Sequence, residues 1–162
     1  MKTYTINKPQ DLEKFKDEYG YKVDGSLDIK CDIDIEGRLL VFGYIKAGGY
    51  IKAGGYIEAG WSIEAGGYIK AGRSIEADDG ISAGLSITCK DSLKVGLKCF
   101  AGICTWKRIS DEEKTITCGK FEGGTIEYGI LKEIGIDNKV KITCEGKEVE
   151  ISRASAEALN LI

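Results

Sequence analysis

The chain has 162 residues, with 22 Gly, a single Pro, six Cys, no His and a formal net charge of −3. That balance excludes collagen-like and Pro-rich chains and supplies no overall basic field for wrapping a nucleic acid, so direct nucleic-acid binding is not expected. No run approaches the roughly 18 consecutive apolar residues of a membrane span, and the opening residues lack the apolar stretch of an export signal, so a cytoplasmic location is expected.

In chain order, residues 1–25 read as an N-terminal strand-helix cap. KTYTI alternates as a strand. Asn7-Lys8-Pro9 then opens a helix that sets Leu12, Phe15 and Tyr19 on one face and stops at Gly20.

Residues 26–104 repeat a six-residue phrase. Stepping by six from Leu27 gives Ile33, Leu39, Ile45, Ile51, Ile57, Ile63, Ile69, Ile75, Ile81, Ile87 and Leu93. A second register, from Ile29 through Ile35, Val41 and a run of alanines to Cys89, Val95 and Ala101, is apolar throughout. Two apolar residues around one polar residue make a strand with a single buried face. The residues between them, Lys46, Lys52, Glu58, Glu64, Lys70 and Glu76, then face out. Gly pairs such as Gly48-Gly49 and Gly66-Gly67 suit sharp corners. A helix is excluded, because a six-residue step turns it by about 600° and spirals the isoleucines around it.

Short strands joined by corners satisfy their backbone only by coiling and stacking on themselves. The expected fold is therefore all-β: a single-chain β-solenoid (β-helix) of six-residue repeats, with an N-terminal helical cap and a C-terminal β-hairpin region. Three repeats per coil give 18 residues and two give 12. The two-sided coil puts Tyr44, Tyr56 and Tyr68 in one column, whereas the three-sided coil, which is preferred, stacks Tyr50 on Tyr68. The sequence leaves both open.

The two registers resemble those of hexad-repeat β-helices. In the hexapeptide acyltransferases a small residue precedes the aliphatic one by two positions and a histidine serves as base. Here Ile comes first, Ala follows, and histidine is absent. The pattern is closer to the bactofilin-type right-handed β-helices over about half of the chain, a resemblance that implies self-assembly.

Residues 105–162 are expected to form a β-rich cap or small lobe. KTITCGKFEGGTIEYGILKEIGI alternates as strands, KVKITCEGKEVEISRA folds into a hairpin near Glu145-Gly146-Lys147, and SAEALNLI forms a short helix begun by Ser155. Trp106-Lys107-Arg108 is expected to anchor the coil to this region.

Chemistry is sparse. Without histidine the usual base and triad arrangements are missing, and no catalytic residue is assigned. Cys89, Cys99, Cys118 and Cys144 occupy inward positions and are expected to be reduced and buried. Asp78-Asp79-Gly80 reads as a polar corner, and no metal or cofactor is expected. Surface is what remains. Tyr44, Tyr50, Tyr56 and Tyr68 share one repeat position, with Trp61 and Arg73 at the position before it, and these residue types are enriched where proteins bind each other. The expectation is a non-catalytic protein-binding solenoid that docks on another protein or complex and acts by occlusion. Small phage-encoded inhibitors of host defence, anti-CRISPR proteins among them, share this profile. The alternatives are a self-assembling, bactofilin-like structural protein forming homo-oligomers, and a hexapeptide-type acyltransferase.

Overall fold

The computed structural model describes residues 1–134, together with the strand backbones at 139–144 and 147–152. The repeat winds into a parallel β-solenoid of about six turns with coils of about 18 residues. Each coil contributes one strand to each of three faces. On the first face, Thr3–Ile6 is followed by Ser26–Ile29, Ile45–Ala47, Ile63–Ala65 and Ile81–Ala83. The second face stacks Gly20–Val23, Arg38–Val41, Ile57–Ala59 and Ile75–Ala77. The third runs from Ile33–Ile35 through Ile51–Ala53, Ile69–Ala71 and Ile87–Thr88 to Thr115–Cys118 and Ile130–Glu133. A long strand, Ser92–Ala101, bends across the first two faces and joins them into one sheet.

The register answers the question of coil size. Ile63 pairs with Ile45 below and Ile81 above, and Ala65 lies between Ala47 and Ala83. The two-sided coil of 12 is thereby ruled out, because Tyr44, Tyr56 and Tyr68 precede strands on three different faces.

Both apolar registers of the repeat point into the three-sided coil. One coil brings Ile45, Ala47, Ile51, Ala53, Ile57 and Ala59 to the axis, all buried. The coil below fills the same register with Ile29, Ile35 and Val41, which are buried as well, so these positions require an apolar side chain without fixing its size. Each fully buried Ile contributes about 1.5–3 kcal/mol of transfer free energy, set against the entropy of ordering the chain. At the corners, backbone bonds continue the stack: Gly66 N–H donates to the Ala47 carbonyl at 2.9 Å, and Gly54 N–H to that of Ile35 at 2.8 Å.

The N-terminal helix differs from expectation. It is a short 3-10 helix, Pro9–Phe15. Its three-residue period eclipses Leu12 and Phe15. Leu12 is fully buried, and Phe15 packs edge-on against Tyr4 at 4.8 Å. Tyr19 lies beyond the helix and is 62% exposed. Gly20 opens a strand at a φ of +142°, a region glycine reaches readily. Lys16–Asp17 lies antiparallel beside that strand and covers the outer edge of the second face.

Parallel pairing extends beyond residues 26–104 in both directions. Thr3–Ile6 joins the first face below, and Lys120–Tyr128 runs along Ser92–Ala101 above. Between them the chain leaves the coil at Gly102, where φ is +82°, and rejoins it at Thr115 after a 3-10 turn, Glu112–Lys114. Lys139–Cys144 and Lys147–Ser152 pair as the expected antiparallel hairpin. The helix expected over 155–162 and the side chain of Cys144 lie outside the described residues.

Candidate docking surfaces

The coil distributes the six candidate residues over three corners. Before the third face, Tyr50 and Tyr68 stack with ring centroids 4.7 Å apart and planes 5° off parallel. Tyr50 N–H donates to Asp32 Oδ1 at 3.0 Å. The Tyr68 phenol is held above its ordinary pKa, first by partial burial and then by the neighbouring Tyr50. Before the first face stand Tyr44, whose hydroxyl lies 3.2 Å from Thr3 Oγ1, and Trp61, which is 47% exposed.

Tyr56 and Arg73 mark the corner before the second face, where Arg38 is the central group. Its guanidinium lies 5.2 Å from the Tyr19 ring centre and 5.9 Å from that of Tyr56. Nη1 donates to the Tyr56 hydroxyl at 2.9 Å and Nη2 to Asp17 Oδ2 at 2.7 Å, while Nε is buried without a partner. The Arg38 bond lowers the Asp17 pKa, assisted by the Tyr19 N–H. Tyr19, Gly37, Arg38, Gly55, Tyr56 and Arg73 line an open recess of about 310 Å³. Beside it a recess of about 200 Å³ is bordered by Tyr56, Glu58, Arg73, Glu76 and Asp91. Glu58 is held above the ordinary carboxylate range, by partial burial first and then by Glu76 and Asp78. The tyrosines therefore do not form one surface, and each corner presents its own set of side chains.

The outward ladder is locally paired. Lys52 reaches Asp34 at 2.7 Å and Lys94 reaches Glu76 at 2.5 Å, each one coil away. Glu58 opposite Glu76 breaks this pattern with two like charges on adjacent rungs.

The thiols of Cys89, Cys99 and Cys118 are buried and free of disulfide bonds. Burial pushes the first two up to about 12 and Cys118 to about 11, well above the range of reactive thiolates. Cys31 and Cys104 are half-buried. Among the described residues no group of three or more carboxylate or thiol ligands converges as a metal site, and Asp78-Asp79 occupies a corner.

A further set escaped the sequence reading. On the first face the outward column runs Asp28, Lys46, Glu64, Ser82, Phe100, so it loses its charges toward the C-terminal end. Phe100 is followed by Tyr128 on the next rung. Leu97 stands two coils above Trp61 at the same corner and is 61% exposed. The excursion brings exposed Ile103 and Trp106 to the opposite corner, where Trp106 Cη2 lies 3.0 Å from the place a Cβ on Gly84 would occupy. Trp106 is 63% exposed and stands against the coil's flank at Gly84. The sequence signal is Phe100 in an otherwise polar register. Its partners on the excursion carry no periodic mark.

No family model matches the chain, and comparisons with curated proteins and with solved structures give no match.

Proposed function

We propose that the chain is a non-catalytic binding protein: a stiff coil that docks on another protein and acts by covering part of it, as an inhibitor would. One observation carries this reading. Trp61, Leu97 and Trp106 stand exposed on a scaffold whose interior is filled by aliphatic side chains. Large apolar groups exposed to water are favourable to bury against a partner, and a packed scaffold spares the backbone beneath them the cost of ordering.

Self-assembly through the coil ends, the bactofilin-like reading, finds less support. Lys16–Asp17 covers the second-face edge at the N-terminal end, and the 3-10 helix inserts the buried Leu12 between the first strands of the first two faces. Both features blunt an end that would otherwise template another chain.

The test is light scattering on a sizing column, with the chain alone across a concentration series and then with soluble extract of its native host. A fixed small particle that shifts to a discrete stoichiometric complex is the expected result. Growth into long particles would favour the structural protein, and turnover with common acyl donors would favour an acyltransferase.

A further inference from the structure

At the corner before the second face, one column of the stack runs Gly37, Gly55, Arg73, Asp91, and from Gly55 onward each backbone N–H donates to the carbonyl one coil below. The next column runs Arg38, Tyr56, Ser74, Ser92. The two glycines leave a hollow below Arg73, and the small Ser74 leaves another above Tyr56. These are the recesses of about 310 and 200 Å³, and Tyr56 and Arg73 line both of them. Sites for small molecules occupy roughly 300–1,000 Å³, so an occupant of this corner is compact.

The charges of the corner are only partly matched. Arg38 is paired with Asp17 and Glu76 with Lys94. The bond from Arg38 to the Tyr56 hydroxyl holds that ring in place. Arg73 lines both recesses, while Glu58 and Asp91 line the smaller one. Among the described residues none of these three takes part in an ion pair. Glu58 is half-buried, and its burial among like charges holds its carboxyl above the ordinary range. A carboxylate so placed gains when a cation reaches it. The Tyr56 ring at the same recess offers a π face that an ammonium group can approach. Arg73 presents the planar fork that matches a carboxylate.

We infer that these adjoining recesses bind a compact zwitterion of the amino-acid class, its carboxylate held by Arg73 and its ammonium group by Glu58 and Asp91 beside the Tyr56 ring. A simple anion would meet Glu58, Glu76 and Asp91, and a simple cation would meet Arg38 and Arg73. A molecule carrying both charges places each beside its opposite. The site shares no residue with the exposed Trp61, Leu97 and Trp106, so it stands or falls apart from the docking reading.

The test titrates the whole chain with each standard free amino acid, by isothermal calorimetry and by ligand-observed NMR. One or more should bind with one-to-one stoichiometry at millimolar concentration or below. For each that binds, the N-acetyl form lacks the cation and the methyl ester lacks the anion, and both should bind at least tenfold more weakly. Glu58→Gln should weaken the free amino acid more than its N-acetyl form, and Arg73→Ala should weaken it more than its ester. Arg73 is exposed and Glu58 lies on an outward register, so circular dichroism should be unchanged in both variants. Lys70→Ala, on the third face, should bind as the parent chain does. The absence of binding by every amino acid up to about 10 mM would overturn the proposal. Equal binding of the blocked forms, or indifference to both substitutions, would do the same. So would a native ion pair between Arg73 and Glu58, seen as an equal loss of stability in Arg73→Ala, Glu58→Gln and the double variant.

Discussion

At the scale of single residues, inward and outward positions of one repeat should respond differently to truncation. Ile63 is fully buried between Ile45 and Ile81, so Ile63→Ala should cost about 2–5 kcal/mol in urea unfolding. Replacing both Tyr50 and Tyr68 by Ala removes a half-buried ring stack of about 0.5–1.5 kcal/mol, and the coil should remain folded. Equal losses from the two changes would contradict the assignment of inside and outside. Glu58 provides a test of charge. Its folded pKa is raised, so its contribution to stability is fully present below the unfolded value of 4.5 and is lost as pH rises through the folded value. Glu58→Gln should therefore raise the melting temperature at pH 7, by an amount in keeping with about 0.2–1 kcal/mol for like charges on neighbouring strands. The gain should vanish when the melts are repeated below pH 4.5. The inward isoleucines are legible from the sequence because burial imposes one residue class at one spacing. The tyrosines share a repeat position as well, but a repeat position does not say which corner it occupies.

At the scale of elements, corners with the same sequence differ in what lies beneath them. A Cβ on Gly66 would come within 2.1 Å of the Gly48 carbonyl, whereas one on Gly48 meets nothing nearer than the Ile29 carbonyl at 3.8 Å. Gly66→Ala should accordingly cost about 1–3 kcal/mol as backbone is pushed apart. Gly48→Ala should be neutral or stabilising by about 0.4–1 kcal/mol, through the lower entropy of the unfolded chain. Thermal melts of the two variants side by side decide the point. The same contrast shows where sequence reading reaches its limit. Gly48 and Gly66 look alike in the repeat, and only the coil below distinguishes them. The N-terminal helix is legible from Pro9 and Leu12, but its length is not, because Gly20 has the look of a helix stop and in fact begins a strand against Arg38. The excursion after Gly102 carries no period, so neither its path nor the placement of Trp106 over Gly84 is deducible.

At the scale of the whole molecule, each coil touches mainly the coils directly above and below it, so stability should grow coil by coil. Duplicating residues 50–67 inserts one complete turn and keeps every later strand on its own face. The lengthened chain should show a higher urea midpoint and a steeper denaturant dependence, and deletion of the same segment should lower both by similar amounts. A change in midpoint with no change in slope would mean that the added turn is not packed into the stack. The 18-residue pairing step also has a consequence in time. Partners in most of the stack are separated by about one-ninth of the chain's length, a relative contact order typical of small helical bundles rather than of β-sandwiches. Stopped-flow refolding should therefore proceed in milliseconds or less, unusually fast for a protein built almost wholly of strands. During synthesis, each turn leaving the ribosome should be able to pair with the turn made just before it, so that the unpaired edge need be no more than one turn long.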